Sequence, residues 1–267
     1  MTNKVVEWED RTNFDIELQN RYKANPFDLA LAPFFKKPRK ILEIGCGQGR
    51  FMSIFPNITG LEYSQKFIDI AKKRGVKGKI YKGDAFNMPF KSKTFDLSFS
   101  TGLIEHYDDK QKLVNEHARV VKDGGLCIIT VPSAGPDAYV GGLIREVVYK
   151  NTEKYDPQYF GERMHKKELH NLMQNAGLKN IKVYNIGLPL RGQPVLILKN
   201  IRKSNSKLLA IYAFFLHSIA FVTTTNSFRR VTGDLLVRLF SRKFGHSLIA
   251  IGTKWKGRYS FGYHNFR

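Results

Sequence analysis

From about residue 40 onward, short apolar runs alternate with amphipathic stretches along the chain. Apolar positions at helical spacing predict helices at 64–73 and 110–121, each lying between two apolar runs. Parallel strands need this alternation, because the chain must cross back over the sheet before the next strand can begin. The pattern predicts a doubly wound α/β fold with a mostly parallel, seven-stranded sheet. The predicted strands lie at 40–44, 58–62, 79–81, 95–100, 126–131, 181–186 and 247–253.

The chain outside this alternation divides into further segments. Residues 1–38 are expected to form a helical lead-in, broken at three prolines. Residues 39–186 and 247–267 form the predicted core, and residues 187–246 form a helical insertion before the last strand. Residues 132–164 are too long for a plain connection and lie where a binding lid often lies. The three prolines of the lead-in are Pro26, Pro33 and Pro38.

A glycine-rich turn directly follows the first predicted strand, at Gly45, Gly47 and Gly49. Glycine lets the backbone adopt positive φ and approach a ligand without a Cβ in the way. The helix that follows leaves amide donors pointing toward such a ligand. The dinucleotide-binding fingerprint would place a further glycine at position 50, where this chain has Arg50. The spacing therefore argues against a nicotinamide oxidoreductase.

Two acids follow the next two strands of the predicted sheet. Glu62 ends the second strand, where a carboxylate can accept hydrogen bonds from both hydroxyls of a ribose. Asp84 lies just beyond the third strand and is followed by apolar side chains, an arrangement that suits an adenine amino group and ring. Taken singly, Glu62 is equally well a solvated strand-end acid or a charge at a helix N-terminus, and Asp84 equally well a turn residue.

Together these segments resemble the class I S-adenosylmethionine-dependent methyltransferases, and within them the subgroup related to quinone-biosynthesis methyltransferases. The resemblance covers about residues 38–186 and the closing strand near 247–253. The stretches that carry it are ILEIGCGQGRF at 41–51, GLEYS at 60–64, GDAFNMPF at 83–90, FDLSFSTGLIEH at 95–106, RVVKDGGLCIITVP at 119–132 and HKKELHNLMQNAGLKNIKV at 165–183. The resemblance implies a Rossmann-like domain that binds S-adenosylmethionine and transfers its methyl group.

The resemblance also implies a role for individual residues. The methionine end of the cofactor would be held by Glu43 and by the turn at Gly45, Gly47 and Gly49. Glu62 would bind the ribose hydroxyls, and Asp84 with Ala85 would bind the adenine. Ser100 and Thr101, at the end of the fourth strand, would line the methionine part near the sulfonium. Glu43 is alternatively a strand-end charge, but an acid inside an apolar strand needs a partner, and a ligand ammonium would supply one.

His106 is the candidate catalytic residue, because the Glu105-His106 pair follows the fourth strand on the side where this family transfers the methyl group. A structural hydrogen bond to a loop is the more common role for such a histidine, and as a functional residue it would act as a base or position the acceptor. Some quinone-related members of the family bind a metal through a Glu-x-x-Glu-His run. The first position of that run is Gly102 here, so no metal site is predicted.

The charge of the chain is concentrated near its end. The net charge is +21, and residues 200–267 contain 12 Lys and Arg against one acid. Within this region, residues 208–222 are apolar but shorter than the roughly 20 residues that a spanning helix needs. The favoured interpretation is that these helices pack on the sheet with their cations on the outer face. Membrane contact is the alternative, because apolar helices bordered by Arg and Lys also suit an anionic membrane surface. Nucleic acid is a less favoured partner, because these stretches are aliphatic and Phe-rich rather than polar or stacking.

The sequence thus predicts methyl transfer to a small-molecule or lipid-like acceptor. The alternatives are a nucleic-acid methyltransferase and a non-catalytic protein that only binds the cofactor. An Asn/Asp-Pro-Pro-aromatic signature for amino-group methylation does not follow the fourth strand, where residues 100–103 read Ser-Thr-Gly-Leu. The charged start and only two cysteines, Cys46 and Cys127, favour a reducing cytoplasmic location, with peripheral membrane contact through the insertion.

Overall fold

The structure, a computed structural model, describes residues 26–35, 39–135, 161–186 and 247–255. The insertion predicted at 187–246 lies outside these residues, as do most of the lead-in and the middle of the segment 132–164. The predictions of a helical insertion, of a membrane-contacting surface and of a binding lid therefore stay predictions. Within the described ranges, no helix reaches the length and apolar character that crossing a bilayer requires.

The described elements alternate between strands and helices, as the sequence predicts. A single 3₁₀ turn, Ile104–His106, lies between the fourth strand and the fourth helix. In chain order the other elements are α1 (Pro26–Phe35), β1 (Ile41–Ile44), α2 (Arg50–Ile54), β2 (Ile58–Glu62), α3 (Gln65–Lys73), β3 (Ile80–Lys82), β4 (Phe95–Thr101), α4 (Lys110–Val120), β5 (Val121–Pro132), α5 (Lys166–Asn175), β6 (Leu178–Ile186) and β7 (Ser247–Lys254).

Seven strands form one sheet in the order β3-β2-β1-β4-β5-β7-β6, which confirms the predicted doubly wound, mostly parallel architecture. The pairs β1–β2, β1–β4, β2–β3 and β4–β5 are parallel. Chain order reverses between β1 and β4, so the crossovers on the two sides of this point leave in opposite directions. In open α/β sheets, ligands bind at the carboxyl ends of the strands beside such a reversal. Glu43 lies at this point, paired with Gly60 on one side and Phe99 on the other.

Side-chain caps define where the two central helices begin. The Ser64 hydroxyl accepts a hydrogen bond from the Phe67 amide at the start of α3. The Asp109 carboxylate accepts one from the Lys112 amide at 3.0 Å at the start of α4. Each cap satisfies an amide that the first turn of a helix leaves without a carbonyl partner. The cap at Ser64 fixes the start of α3 only two residues after Glu62, the last residue of β2.

The two faces of the sheet carry different cores. On one face, Leu42 and Ile44 of β1 pack with Leu61, Met88 and Phe95 and with the end of α4. On the other face, aromatic rings pack edge to face or tilted, with the ring of Phe99 4.8 Å from Phe35 and 5.5 Å from Phe51. Side chains alternate along β1, so Glu43 projects toward the aromatic face while its neighbours fill the aliphatic core.

Three sequence predictions differ from the structure, namely the helix break at Pro33, the start of the fifth strand and the start of the sixth strand, which lies at Leu178 rather than 181. Pro33 was expected to break the lead-in, but α1 continues through it to Phe35. Pro33 removes one backbone donor in the last turn of a short helix, and burial of Leu31 and Phe35 stabilises the helix against that loss. The fifth strand begins at Val121 rather than 126, because Val121 already pairs with Phe95 of β4. Residues 122–125 form an irregular stretch before the next pair, Leu97–Leu126.

Contacts divide the chain into two compact units. The first comprises Met1–Thr130, Lys167–Val183 and Ala250–Arg267, and the second comprises Val131–Lys166 and Tyr184–Ile249. The residues with predicted cofactor or catalytic roles all belong to the first unit. In the second unit, Ser133 and Met164 form a parallel bridge, and the Ser133 hydroxyl accepts hydrogen bonds from Gly135 and Asn185.

Candidate cofactor site at the carboxyl end of the sheet

The turn after β1 has the backbone conformation that its glycines permit. Gly45, Gly47 and Gly49 have φ values of 68°, 51° and 72°. The amides of Gly45 and Cys46 donate to the Leu61 carbonyl at 2.9 and 3.0 Å, which fixes the turn against β2. Positive φ in this range is costly for any residue with a Cβ, so the turn requires glycine at these positions. The helix that follows, α2, has only five residues.

The three glycines of the turn differ in their surroundings. A Cβ on Gly45 would lie 2.8 Å from the Leu103 side chain, and one on Gly49 would lie 2.8 Å from Val76. A Cβ on Gly47 would meet no described atom within 4 Å. Gly45 and Gly49 therefore also serve close packing of the turn. Gly47 presents backbone to open space, as a turn that receives a ligand must.

Glu62 joins the end of β2 to the glycine turn. One carboxylate oxygen, Oε2, accepts a hydrogen bond from the Gly47 amide at 2.8 Å. The other, Oε1, accepts from the amides of Tyr63 and Ser64, both at 2.9 Å. The solvated strand-end acid considered from the sequence is therefore wrong, because Glu62 is 8% exposed and bonded to the backbone. These three bonds hold the carboxylate between the glycine turn and the start of α3.

Glu43 is a buried acid with an unsatisfied oxygen. It is 2% exposed, and its Oε2 has no hydrogen-bond partner among the described residues. Burial raises the pKa of Glu43 well above its ordinary value, with the Arg50 charge acting to lower it and the Glu62 charge to raise it further. An unpaired buried carboxyl is costly, so a donor or cation that reaches Glu43 would be bound favourably.

The segment after β3 places Asp84 beside an aromatic pair. Asp84 Oδ1 accepts a hydrogen bond from the Phe86 amide at 2.9 Å. The ring of Phe86 meets that of Tyr107 edge to face, with centroids 5.2 Å apart. Burial raises the pKa of Tyr107, and the charges of Glu62 and Asp84 raise it further. Tyr107 therefore lies within electrostatic range of both acids, a position that no motif in the sequence indicates.

The end of β4 contributes the remaining predicted residues. Ser100 is fully buried, and its Oγ has no hydrogen-bond partner among the described residues. Thr101, the last residue of β4, is half-buried. The chain then turns at Gly102, with φ of 68°, into the 3₁₀ turn that carries Glu105 and His106. His106 Nε2 lies 3.9 Å from Glu105 Oε1, beyond hydrogen-bond length.

Glu105 is a second buried acid, and it was not among the predicted site residues. It is 4% exposed, and its Oε2 has no hydrogen-bond partner in the described part of the chain. Burial raises the pKa of Glu105 to about 8. Its sequence context does not indicate this, because a Glu beside a His is more often exposed. In the described ranges, no group of three or more His, Cys, Asp or Glu is placed to hold a metal ion.

The buried carboxyl of Glu105 predicts a dependence of stability on pH. A pKa of about 8 in the folded state lies above the ordinary value of 4.5, so the folded state favours the protonated form. The contribution of this carboxyl to the free energy of unfolding is therefore fully present below about pH 4.5 and is lost as the pH rises through 8. We expect Glu105→Gln to gain at least about 1 kcal/mol of stability relative to the parent chain between pH 5 and pH 9. Denaturant unfolding of both chains across this pH range measures the difference. Free energies of unfolding that changed with pH in the same way in both chains would contradict the prediction.

The comparisons with known proteins identify the part of the chain that holds this site. Residues 42–129 match a family described as a methyltransferase domain. The chain is 33% identical over 141 residues to an uncharacterized protein of Methanocaldococcus jannaschii, covering 53% of this chain and 65% of that one. It is 32% identical to a probable tRNA methyltransferase 9B of Homo sapiens, covering 36% of this chain and 22% of that one. It is 34% identical to norajmaline N-methyltransferase of Rauvolfia serpentina, and that match covers 35% of this chain and 36% of that one.

The chain thus spans less than two thirds of each of these relatives. Among solved structures, it superimposes on a methyltransferase of Thermotoga maritima described as a possible histamine N-methyltransferase, with a TM-score of 0.60. The identity is 22%, and the match covers 92% of this chain and 98% of that one, so it supports the fold. The narrower resemblance to quinone-biosynthesis methyltransferases stays a prediction. The family match thus identifies residues 42–129 as a methyltransferase domain, and the structural neighbour supports the same fold.

Proposed function

We propose that the protein transfers a methyl group from S-adenosylmethionine to a small-molecule or lipid-like acceptor. The observation that carries the proposal is the pairing of an unsatisfied buried carboxyl, Glu43, with open backbone at Gly47. Both lie at the carboxyl end of β1, where the strand order reverses. The ligand suited to this arrangement has a cation for Glu43 and a body that lies against a bare backbone, and S-adenosylmethionine has both.

The residues present fit this cofactor. Glu43 would accept hydrogen bonds from its ammonium group, and Glu62 from its ribose hydroxyls. Asp84 and Ala85 would bind the adenine, beside the ring pair of Phe86 and Tyr107. The buried hydroxyl of Ser100, together with Thr101, would line the methionine portion.

Methyl transfer from a sulfonium needs few catalytic side chains. The bound sulfonium supplies an already activated methyl group, so the protein aligns the acceptor with it and excludes water. His106 follows β4 on a half-buried turn, where it would remove a proton from a hydroxyl acceptor or orient the acceptor. Glu105 beside it adds a carboxyl that favours the neutral form at neutral pH and can therefore donate a hydrogen bond.

The acceptor class rests on the composition of the chain outside the core. Residues 208–222 are rich in Leu, Ile and Phe, and basic residues border them on both sides. A hydrophobic acceptor, reached at an anionic membrane surface, fits this composition. The named relatives differ in their acceptors, so a nucleic-acid acceptor is the second candidate, favoured by the net charge of +21.

Two experiments test the acceptor. In the first, the protein is incubated with a cell extract and S-adenosylmethionine that carries an isotopically labelled methyl group. We expect the label to enter the lipid or small-molecule fraction. Label confined to RNA or protein would contradict the proposal. In flotation with anionic vesicles at low salt, we expect the protein to rise with the vesicles, and an absence of binding would exclude the membrane surface as the site of action.

A matched pair of glycine substitutions tests whether Gly47 faces the ligand. Gly47 and Gly75 both have positive φ, 51° and 73°, and a Cβ on either would meet no atom of the described residues within 4 Å. Alanine at either position should therefore cost a similar amount of stability, about 1–2 kcal/mol. Only Gly47→Ala places a methyl group in the path of the ligand, so we expect its Kd for S-adenosylhomocysteine to rise by about tenfold or more. Calorimetric titration that gave both variants the parental Kd would refute this.

A further inference from the structure

A charged pair on one helix holds the segment that follows β3. Glu116 and Arg119 lie one turn apart on α4. Arg119 Nε donates to Glu116 Oε1, and its Nη2 donates to Glu116 Oε2 at 2.8 Å, so the two planar groups meet through two parallel hydrogen bonds. This fork is the geometry in which an Arg–carboxylate pair is most directional. The pair is thus a rigid unit on a helix.

The same pair binds the backbone of residues 88–90. The Met88 amide donates to Glu116 Oε2 at 2.9 Å. Arg119 donates through Nη1 to the Phe90 carbonyl at 2.7 Å and through Nη2 to the Met88 carbonyl at 3.2 Å. Two side chains therefore satisfy three backbone groups of a segment, 83–90, that has no regular secondary structure. Burial alone would raise the pKa of Glu116, but the hydrogen bonds from Arg119 and the Met88 amide lower it, so the pair stays charged.

The helix that carries the pair is itself fixed at its end. Lys254 of β7 donates from Nζ to the carbonyls of Ala118 and Arg119, at 2.7 and 3.2 Å. These carbonyls lie in the last turn of α4, where helical partners are missing. Met88, whose amide and carbonyl are both bonded to the pair, is 4% exposed and packs in the aliphatic core. The pair therefore holds the segment from a support that cannot shift easily.

We propose that Glu116 and Arg119 are positioning residues that hold Asp84 and Ala85 in register to recognise the adenine amino group. The proposal rests on the proposed function. Asp84 Oδ1 is already bonded to the Phe86 amide, so Oδ2 is the atom left to read the base among the described contacts. A shift of about 1 Å in this short segment would break that contact, so base recognition depends on what fixes residues 88–90.

The test compares two ligands that differ only at the base. S-inosylhomocysteine replaces the amino group of S-adenosylhomocysteine with a carbonyl, so the ratio of the two dissociation constants measures recognition of that group. In the parent chain we expect a ratio of about ten or more. In Arg119→Lys, which keeps the charge and loses the planar fork, and in Glu116→Gln we expect the ratio to fall toward one.

The matched control is Lys122→Gln, which removes another surface ion pair, Lys122–Asp96 at 2.8 Å, without touching residues 83–90. A merely structural role would lower the thermal midpoint and leave the ratio unchanged, and that result would overturn the inference. A parent chain that bound both ligands equally would overturn it too. A parent chain that bound neither would instead overturn the proposed function. Should Arg119→Lys fail to fold, the ratio in Glu116→Gln decides.

Discussion

Replacing Glu43 with Gln is expected to weaken binding of S-adenosylhomocysteine by about 100-fold. A hydrogen bond between a carboxylate and an ammonium contributes about 1.5–3 kcal/mol, and each 1.4 kcal/mol is a factor of ten in affinity. Gln keeps the shape of Glu43 but cannot supply the charge. Calorimetric titration of the two chains at one pH measures the difference.

The substitution Glu43→Gln should also abolish the release of a proton that we expect when the ligand binds. Burial raises the pKa of Glu43 well above its ordinary value, so the ligand-free folded state favours the protonated carboxyl. A bound ammonium lowers that pKa again, so ligand binding should release a proton over the pH range in which the carboxyl of the free chain is protonated. Affinity should rise with pH in the parent chain and less so in Glu43→Gln, and titrations in two buffers of different ionisation enthalpy count the proton.

Asp69→Asn is the matched control for Glu43→Gln. Asp69 lies exposed on α3 with its carboxylate bonded to Gln65 at 2.9 Å, so its loss removes a charge from the same domain away from the glycine turn. We expect the parental Kd for this variant. A Glu43→Gln chain that also kept the parental Kd would show that Glu43 does not hold the ligand's cation.

Replacing His106 with Ala is expected to lower kcat by about 100-fold or more, the usual contribution of a positioned base. The Kd for S-adenosylhomocysteine should stay within about twofold, because His106 lies on the 3₁₀ turn beyond β4 and is not among the residues assigned to the cofactor. Transfer of labelled methyl to the acceptor fraction measures kcat, and calorimetry measures Kd.

His170→Ala is the control for His106→Ala, because His170 lies on α5 and has no predicted role in the site. Parental turnover in both variants would remove His106 from the mechanism. A large loss of ligand affinity in His106→Ala would assign it to the cofactor rather than to the acceptor.

The sequence predicts the sheet well because its signals are local. The alternation of apolar runs gave β2 at residues 58–62, as observed, and the glycine spacing located the turn with positive φ. Glu62 was correctly placed at the end of its strand, but the sequence could not tell that its carboxylate binds Gly47 across 15 residues. Spacing identifies a candidate, and only the fold shows its partners.

The remaining features depend on contacts distant in sequence. Arg119 binds the Phe90 carbonyl 29 residues away, and no periodicity in the chain encodes that contact. The burial of Glu105 depends on packing around a turn, which composition does not report. The prediction of a helix break at Pro33 is wrong, because tertiary burial of Phe35 outweighs a single lost hydrogen bond. The domain boundary predictions at 1–38 and 187–246 lie largely outside the described residues.

The most direct test of the central claim is a calorimetric titration of the full chain with S-adenosylmethionine, and separately with NAD. Glu43, Glu62 and the bare backbone at Gly47 predict saturable one-to-one binding of S-adenosylmethionine. NAD should give no saturable heat, because Arg50 stands where the dinucleotide fingerprint has glycine. Absence of S-adenosylmethionine binding, or tighter binding of NAD, would contradict the assignment of this site.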